Sequence, residues 1–250
     1  MTNMDPQHRT NELITRLKSA SGPNLESVIL YGSAASSEFD PSVSDLNVLC
    51  ILRETSFAAL QALAPVMKWW HRREQSLPLF MTREELERSA DVFAIEILDM
   101  RQQYKVLFGS DVLQGLRIPM DLHRVQVEYE LREKLLLLRQ RVIAANAREA
   151  DLRDLLLESL PSFLTLFRHA LIALGEASAP NKREAVNLLA RRVGFDPASI
   201  HQALDVRERK TDLKKTGVQA LFAAYLMIIE QVAAAVDRML DDDKSKRVVP

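Results

Sequence analysis

A glycine and a serine, Gly32-Ser33, follow the apolar run Val28-Ile29-Leu30-Tyr31. Twelve residues later a carboxylate and an amide, Asp45 and Asn47, open a second apolar run, Val48-Leu49-Cys50-Ile51-Leu52. In a strand, residues two apart share a face and lie roughly 6–7 Å apart. Asp45 and Asn47 are therefore expected to project together, close to the Gly-Ser turn. Backbone N–H groups at such a turn suit a polyphosphate, and side-chain oxygens suit a divalent metal. The plainer alternatives are a strand-to-helix turn capped by Ser33 and an Asp45 that satisfies backbone groups where the second strand starts.

A third acid stands in the run Phe93-Ala94-Ile95-Glu96-Ile97-Leu98. An acid inside an apolar strand is costly unless it is paired or ligating. Glu96 is expected either to orient a hydroxyl or act as its general base, or to pair with a buried Arg or Lys.

These residues must be positioned by two different halves of the chain. Residues 6–20 read as a helix broken at Gly22-Pro23-Asn24. Strands are expected at about 26–31, 46–52, 77–81, 93–98 and 105–108, with a helix from Thr55 to about Arg73 and a second opened by the capping box Thr82-Arg83-Glu84-Glu85. A short helix is expected over Asp99 to Tyr104. After Pro119 the pattern becomes helical throughout, over 120–145, 150–175, 181–193, 197–206 and 212–240. The expected class is α+β, a small mixed-sheet core followed by an all-helical bundle. The expected organisation is 1–118, 119–240 and a frayed charged tail, 241–250.

The first half resembles the nucleotidyltransferase motif of the DNA polymerase β superfamily: Gly-Ser, a spacer of about ten residues, then Asp-x-Asp in a hydrophobic strand. Gly32, Ser33 and Asp45 match, and Asn47 stands where the pattern has its second carboxylate. The order of halves is similar to that of antibiotic adenylyltransferases. The resemblance implies transfer of a nucleoside monophosphate from a nucleoside triphosphate to an acceptor hydroxyl. Gly32 and Ser33 would grip the phosphates, Asp45 and Asn47 would hold Mg²⁺, and Glu96 would serve the acceptor, a small molecule or a protein. The alternative is a catalytically degenerate module that keeps the fold and binds a nucleotide or a partner. An amide supplies a ligand oxygen without charge, so Asn47 weakens a metal site.

Composition excludes several classes. The chain has 250 residues, 33 Lys and Arg against 34 Asp and Glu, and a net charge of −1, which argues against a general nucleic-acid binder. Its one cysteine, Cys50, permits no internal disulfide and reads as a buried structural thiol. The polar N-terminus does not read as a secretory signal, and no run of about 18 apolar residues suggests a membrane span. The expected location is the cytoplasm. The five histidines lack metal-ligand spacing. The basic groups around Lys182-Arg183, Arg191-Arg192 and Arg207-Glu208-Arg209-Lys210 read as solvated helix faces, with contact to a triphosphate as the rarer outcome.

Overall fold

The structure is a computed structural model that describes residues 6–35, 46–72, 76–146, 148–176, 179, 181–211 and 217–247. It divides into two compact units, Met1–Pro119 and Met120–Pro250.

The first unit is built on a mixed four-stranded sheet, β1 (Leu25–Tyr31), β2 (Asn47–Leu52), β3 (Leu79–Thr82) and β4 (Tyr104–Gly109), in the order β3-β2-β1-β4. β1 runs antiparallel to both β2 and β4, and β2 runs parallel to β3. The central strands are apolar at nearly every position because helices cover both faces. On one face Val28, Leu30, Val48, Cys50 and Leu52 meet Leu13 and Leu17 of α1 (Pro6–Ser21) and Leu63, Val66 and Trp70 of α2 (Phe57–His71). On the other, Ile29, Leu49 and Ile51 meet Leu86 of α3 (Arg83–Ser89) and Ile97 and Met100 of α4 (Ala94–Gln102). Cys50 is fully buried, and burial pushes its thiol up.

Local sequence explains the entries to these helices. Ser56, not Thr55, caps α2 by accepting from the Ala59 N–H. The capping box of α3 is complete: Thr82 Oγ1 accepts from Glu85 N–H at 3.1 Å, and Glu85 Oε2 accepts from Thr82 N–H at 2.7 Å. At the end of β4, Gly109 has φ +77°, and a Cβ there would fall 1.9 Å from the Glu26 carbonyl oxygen.

Two elements differ from the sequence expectation: the last helix runs on to Arg247, past the expected end at 240, and one expected strand is helical. Residues 93–98 do not form a strand. They open α4, where the N–H of Ile97 donates to the Phe93 carbonyl at 3.0 Å. A six-residue apolar run fits either period. The helical period wins because Ala94, Ile97 and Met100 then share one buried face while Glu96 is left exposed. Glu96 also lies in the first turn of α4, where the helix dipole favours an acid. The burial cost expected of a strand carboxylate is thereby avoided.

Among its described residues the second unit contains helices and no strand: α5 (Met120–Ala145), α6 (Glu149–Ala173), α7 (Lys182–Val193), α8 (Ala198–Arg207) and α9 (Val218–Arg247). α6 packs against the other four, and α5 also packs against α9. Phe163 and Phe167 of α6 and Tyr225 and Ile229 of α9 are buried in this core. The Tyr225 and Ser159 hydroxyls lie 3.1 Å apart, which satisfies both polar groups inside the core. By length and composition Glu149–Ala173 and Val218–Met239 are apolar enough to cross a bilayer, a test that core helices of a folded bundle also pass, and about half of each is buried here.

Candidate functional site

The end of β1 and the start of β2 build the centre of the site. Antiparallel register sets Asn47 opposite Tyr31, and Tyr31 opposite Tyr104 on the other side. After Tyr31 the chain enters a 3-10 turn, Gly32–Ala35. Gly32 has φ +76°, a region L side chains rarely occupy. Its N–H donates to the Gln103 carbonyl at 2.9 Å, which ties the turn to the segment entering β4. A Cβ on Gly32 would sit 3.4 Å from Asn47 Nδ2. The turn and the motif amide are therefore neighbours. The turn also packs against α4, the helix that carries Glu96.

Asn47 and Tyr31 lie on the sheet face that α3 and α4 cover, because they share strand parity with Leu49, Ile51 and Ile29. On that face lies a cavity of about 500 Å³, bounded by Tyr31, Met81, Leu86, Phe93, Glu96 and Asp99 among others. Most of its wall is apolar. Its acids are Glu96 and Asp99, three residues apart on α4, the spacing that puts two helical side chains side by side. Tyr31 is half-buried, and burial pushes its hydroxyl up, so this group stays protonated at neutral pH.

The structure treats the expected residues unequally. It brings Gly32 and Asn47 together. It puts Glu96 on a helix over the same sheet face, at the wall of the cavity, rather than on a neighbouring strand. Asp45 lies outside the described residues, and Ser33 is described at its backbone alone. Tyr31 and Asp99 were not among the expected site residues. Tyr31 was readable as the residue that precedes the glycine turn on an alternating strand. Asp99 was readable only once 93–102 is a single helix.

Among the described residues no group of three or more His, Cys, Asp or Glu is disposed to hold a metal ion. Among the described residues, the side-chain group that lies against Gly32 is the neutral amide of Asn47.

Five of the basic residues in these clusters have partners within the second unit. Arg183 donates to Asp205 at 2.7 Å and to Glu208 at 2.8 Å, and desolvation only partly offsets the rise these acids impose on its guanidinium. Arg191 and Arg192 face Glu184 and Glu176 at 3.6 and 3.7 Å. Arg207 donates to the Leu157 carbonyl at 2.8 Å, and Lys210 pairs with Glu208 at 2.6 Å. Trp70 is buried and donates to the Ser76 carbonyl at 2.7 Å, while Arg16 stacks over Trp69. This is packing, as an aromatic pair at a helix end usually is.

No known protein family matches the sequence, and no curated protein does. Among solved structures the chain is similar to spectinomycin adenyltransferase from Enterococcus faecialis, solved with ATP and spectinomycin. The TM-score is 0.55 at 16% identity, over 91% of this chain and 99% of that one. This chain thus has a nucleotidyltransferase-like α+β fold, a mixed-sheet core followed by helices.

Proposed function

We propose that this protein binds a nucleoside triphosphate at the Gly32 turn and transfers its nucleoside monophosphate to an acceptor hydroxyl. The observation that supports this most directly is the approach of Gly32 to Asn47. A left-handed glycine puts no side chain beside the amide, and a Cβ there would lie 3.4 Å from Asn47 Nδ2. The likeness in fold to a protein solved with ATP and spectinomycin points the same way.

In this reading Gly32, which has no side chain, lets the phosphates approach the turn, and Ser33 holds them through its backbone N–H and its hydroxyl. Asp45 and Asn47 hold Mg²⁺, which when bound neutralises charge on the phosphates. The acceptor lies in the cavity under α4, and Glu96 orients its hydroxyl or takes its proton as the oxygen attacks the α-phosphate and pyrophosphate leaves. Tyr31, protonated, is a hydrogen-bond donor at the cavity wall. A cytoplasmic setting, with its supply of nucleoside triphosphate, belongs to the same reading.

A second reading is favoured by Asn47 itself. A site with one motif carboxylate and one amide binds nucleotide without transferring it, because the charge that steadies the metal is halved. Calorimetry with ATP, GTP, CTP and UTP, each with Mg²⁺ or with chelator, separates the possibilities. Mg²⁺-dependent binding of at least one triphosphate supports a nucleotide site, and assay of pyrophosphate release then distinguishes transfer from binding. No binding of any triphosphate refutes both.

A further inference from the structure

Helix α5 buries one face and leaves a second, apolar face bare. His123, Val127, Leu131, Leu135 and Leu138 are buried. Leu122, Tyr129, Leu136 and Ile143 are exposed by 45, 62, 58 and 80%, with Val125 beside them at 53%. The first four recur every seven residues. A helix face that meets only water carries polar side chains, whereas a row of apolar residues along one face suits packing against another helix; the intervening positions here are Val125, Arg132 and Arg139. At a rise of 1.5 Å per residue the row from Leu122 to Ile143 is about 32 Å long. A straight helix drifts by only about 20° per heptad, so the row stays one stripe.

We propose that this stripe is the seam of a two-fold dimer, in which α5 lies antiparallel on α5 of a second copy of the chain. The stripe complements itself when reversed: Leu122 meets the partner's Ile143, and Tyr129 meets the partner's Leu136. The midpoint of the row falls between Arg132 and Glu133. The two-fold axis therefore sets Arg132 against the partner's Glu133, and Glu133 against the partner's Arg132, opposite charges in both crossings. Parallel pairing in register would set like against like, which is repulsive.

The charges at the midpoint are disposed for this. Glu133 is exposed and makes no hydrogen bond or ion pair among the described residues. Arg132 is held at the edge of the stripe by Glu128 at 2.7 Å and by Asp237 of α9 at 2.9 Å. Covering the stripe on both copies removes on the order of 1,000 Å² of surface, the lower bound of a specific interface. The dimer is accordingly reversible, with dissociation in the micromolar range.

Sedimentation velocity on the full chain, from about 1 to 200 µM, reads this range. The expected result is a concentration-dependent monomer–dimer equilibrium. Leu136→Glu weakens it by about tenfold or more, and Glu133→Arg by about fivefold or more. Both sites are exposed, so both variants should melt like the parent, and that control separates lost association from lost fold. Orientation is tested by cysteine trapping, since Cys50 is buried. On oxidation Glu133→Cys should give a covalent dimer. Leu122→Cys should not, because antiparallel pairing holds the two copies of that position about 32 Å apart. A monomer at every concentration overturns the proposal, whether the stripe is then covered from within the chain or by another protein. A dimer indifferent to Leu136→Glu also overturns it, as does ready self-trapping of Leu122→Cys.

Discussion

Replacing Asn47 by Asp tests the candidate site with the smallest change of shape. The two side chains are isosteric, and Asn47 already stands beside the Gly32 turn, its Nδ2 3.4 Å from a Cβ built there. The substitution adds one negative charge where a metal-bound triphosphate would lie. Over roughly 5 Å at an effective dielectric near 20, one unit of charge is worth about 3 kcal/mol. Asn47 is only half-buried, so solvent screening reduces this to about 1.5 kcal/mol, or a tenfold change in affinity. At saturating ligand a tenfold tighter complex raises stability by nearly the same amount. In a chain of this length that shifts the melting temperature by about 3–6 °C. The assay is a melting curve of parent and variant in ATP, with Mg²⁺ or with EDTA. The expected outcome is a gap between the two buffers that is wider for Asn47→Asp by that amount. In EDTA the added carboxylate repels the triphosphate, so ATP should stabilise the variant less than the parent. Adding Asp45→Asn to the variant should cancel the gain. Equal gaps for parent and Asn47→Asp would refute the reasoning, because charge at Asn47 would then have no metal-bound phosphate to act on.

Other outcomes follow from single contacts. Gly109→Ala puts a methyl 1.9 Å from the Glu26 carbonyl oxygen at φ +77°, so β1 and β4 must separate; urea unfolding should show a loss above about 3 kcal/mol. Glu96→Gln should leave triphosphate binding unchanged and reduce transfer by about 100-fold or more if Glu96 serves the acceptor hydroxyl; unchanged transfer in a pyrophosphate-release assay removes it from the chemistry. Asp111 is held below its ordinary carboxyl range, because burial, which raises it, is outweighed by the Tyr104 hydroxyl at 2.8 Å and the N–H groups of Gln114 and Leu113. That contribution is present above the unfolded carboxyl pKa and lost as pH falls through the folded one. Tyr104→Phe raises the folded value, so its acid unfolding, followed by circular dichroism, should begin at a higher pH than the parent's.

What the sequence determined by itself rests on periodicity and local chemistry. The runs 28–31 and 48–52 read as central strands because short apolar runs bounded by turn signals, with β-branched residues in each, fit a strand covered on both faces. The Thr82–Glu85 capping box fixes the start of α3 within four residues of chain. The long helices after Pro119 were legible because a 3.6-residue apolar period over twenty or more positions has no competing reading. The Gly-Ser and Asp-x-Asn pattern named a candidate site, and the α+β class followed from the change of pattern between the halves.

Tertiary structure decided the rest, because it depends on residues far apart in the chain. The run 93–98 is too short for its period to choose between strand and helix. The sheet face made by Ile29, Leu49 and Ile51 chose helix, since only α4 presents Ala94, Ile97 and Met100 together. That choice moved Glu96 from a strand to a cavity wall and set Asp99 beside it. The nearness of Gly32 to Asn47 likewise comes from antiparallel register between β1 and β2, which no local signal specifies. The bare heptad stripe of α5 is the converse case. Its spacing is written in the sequence, but an apolar residue at that spacing reads as core until the fold shows which face the other helices leave open.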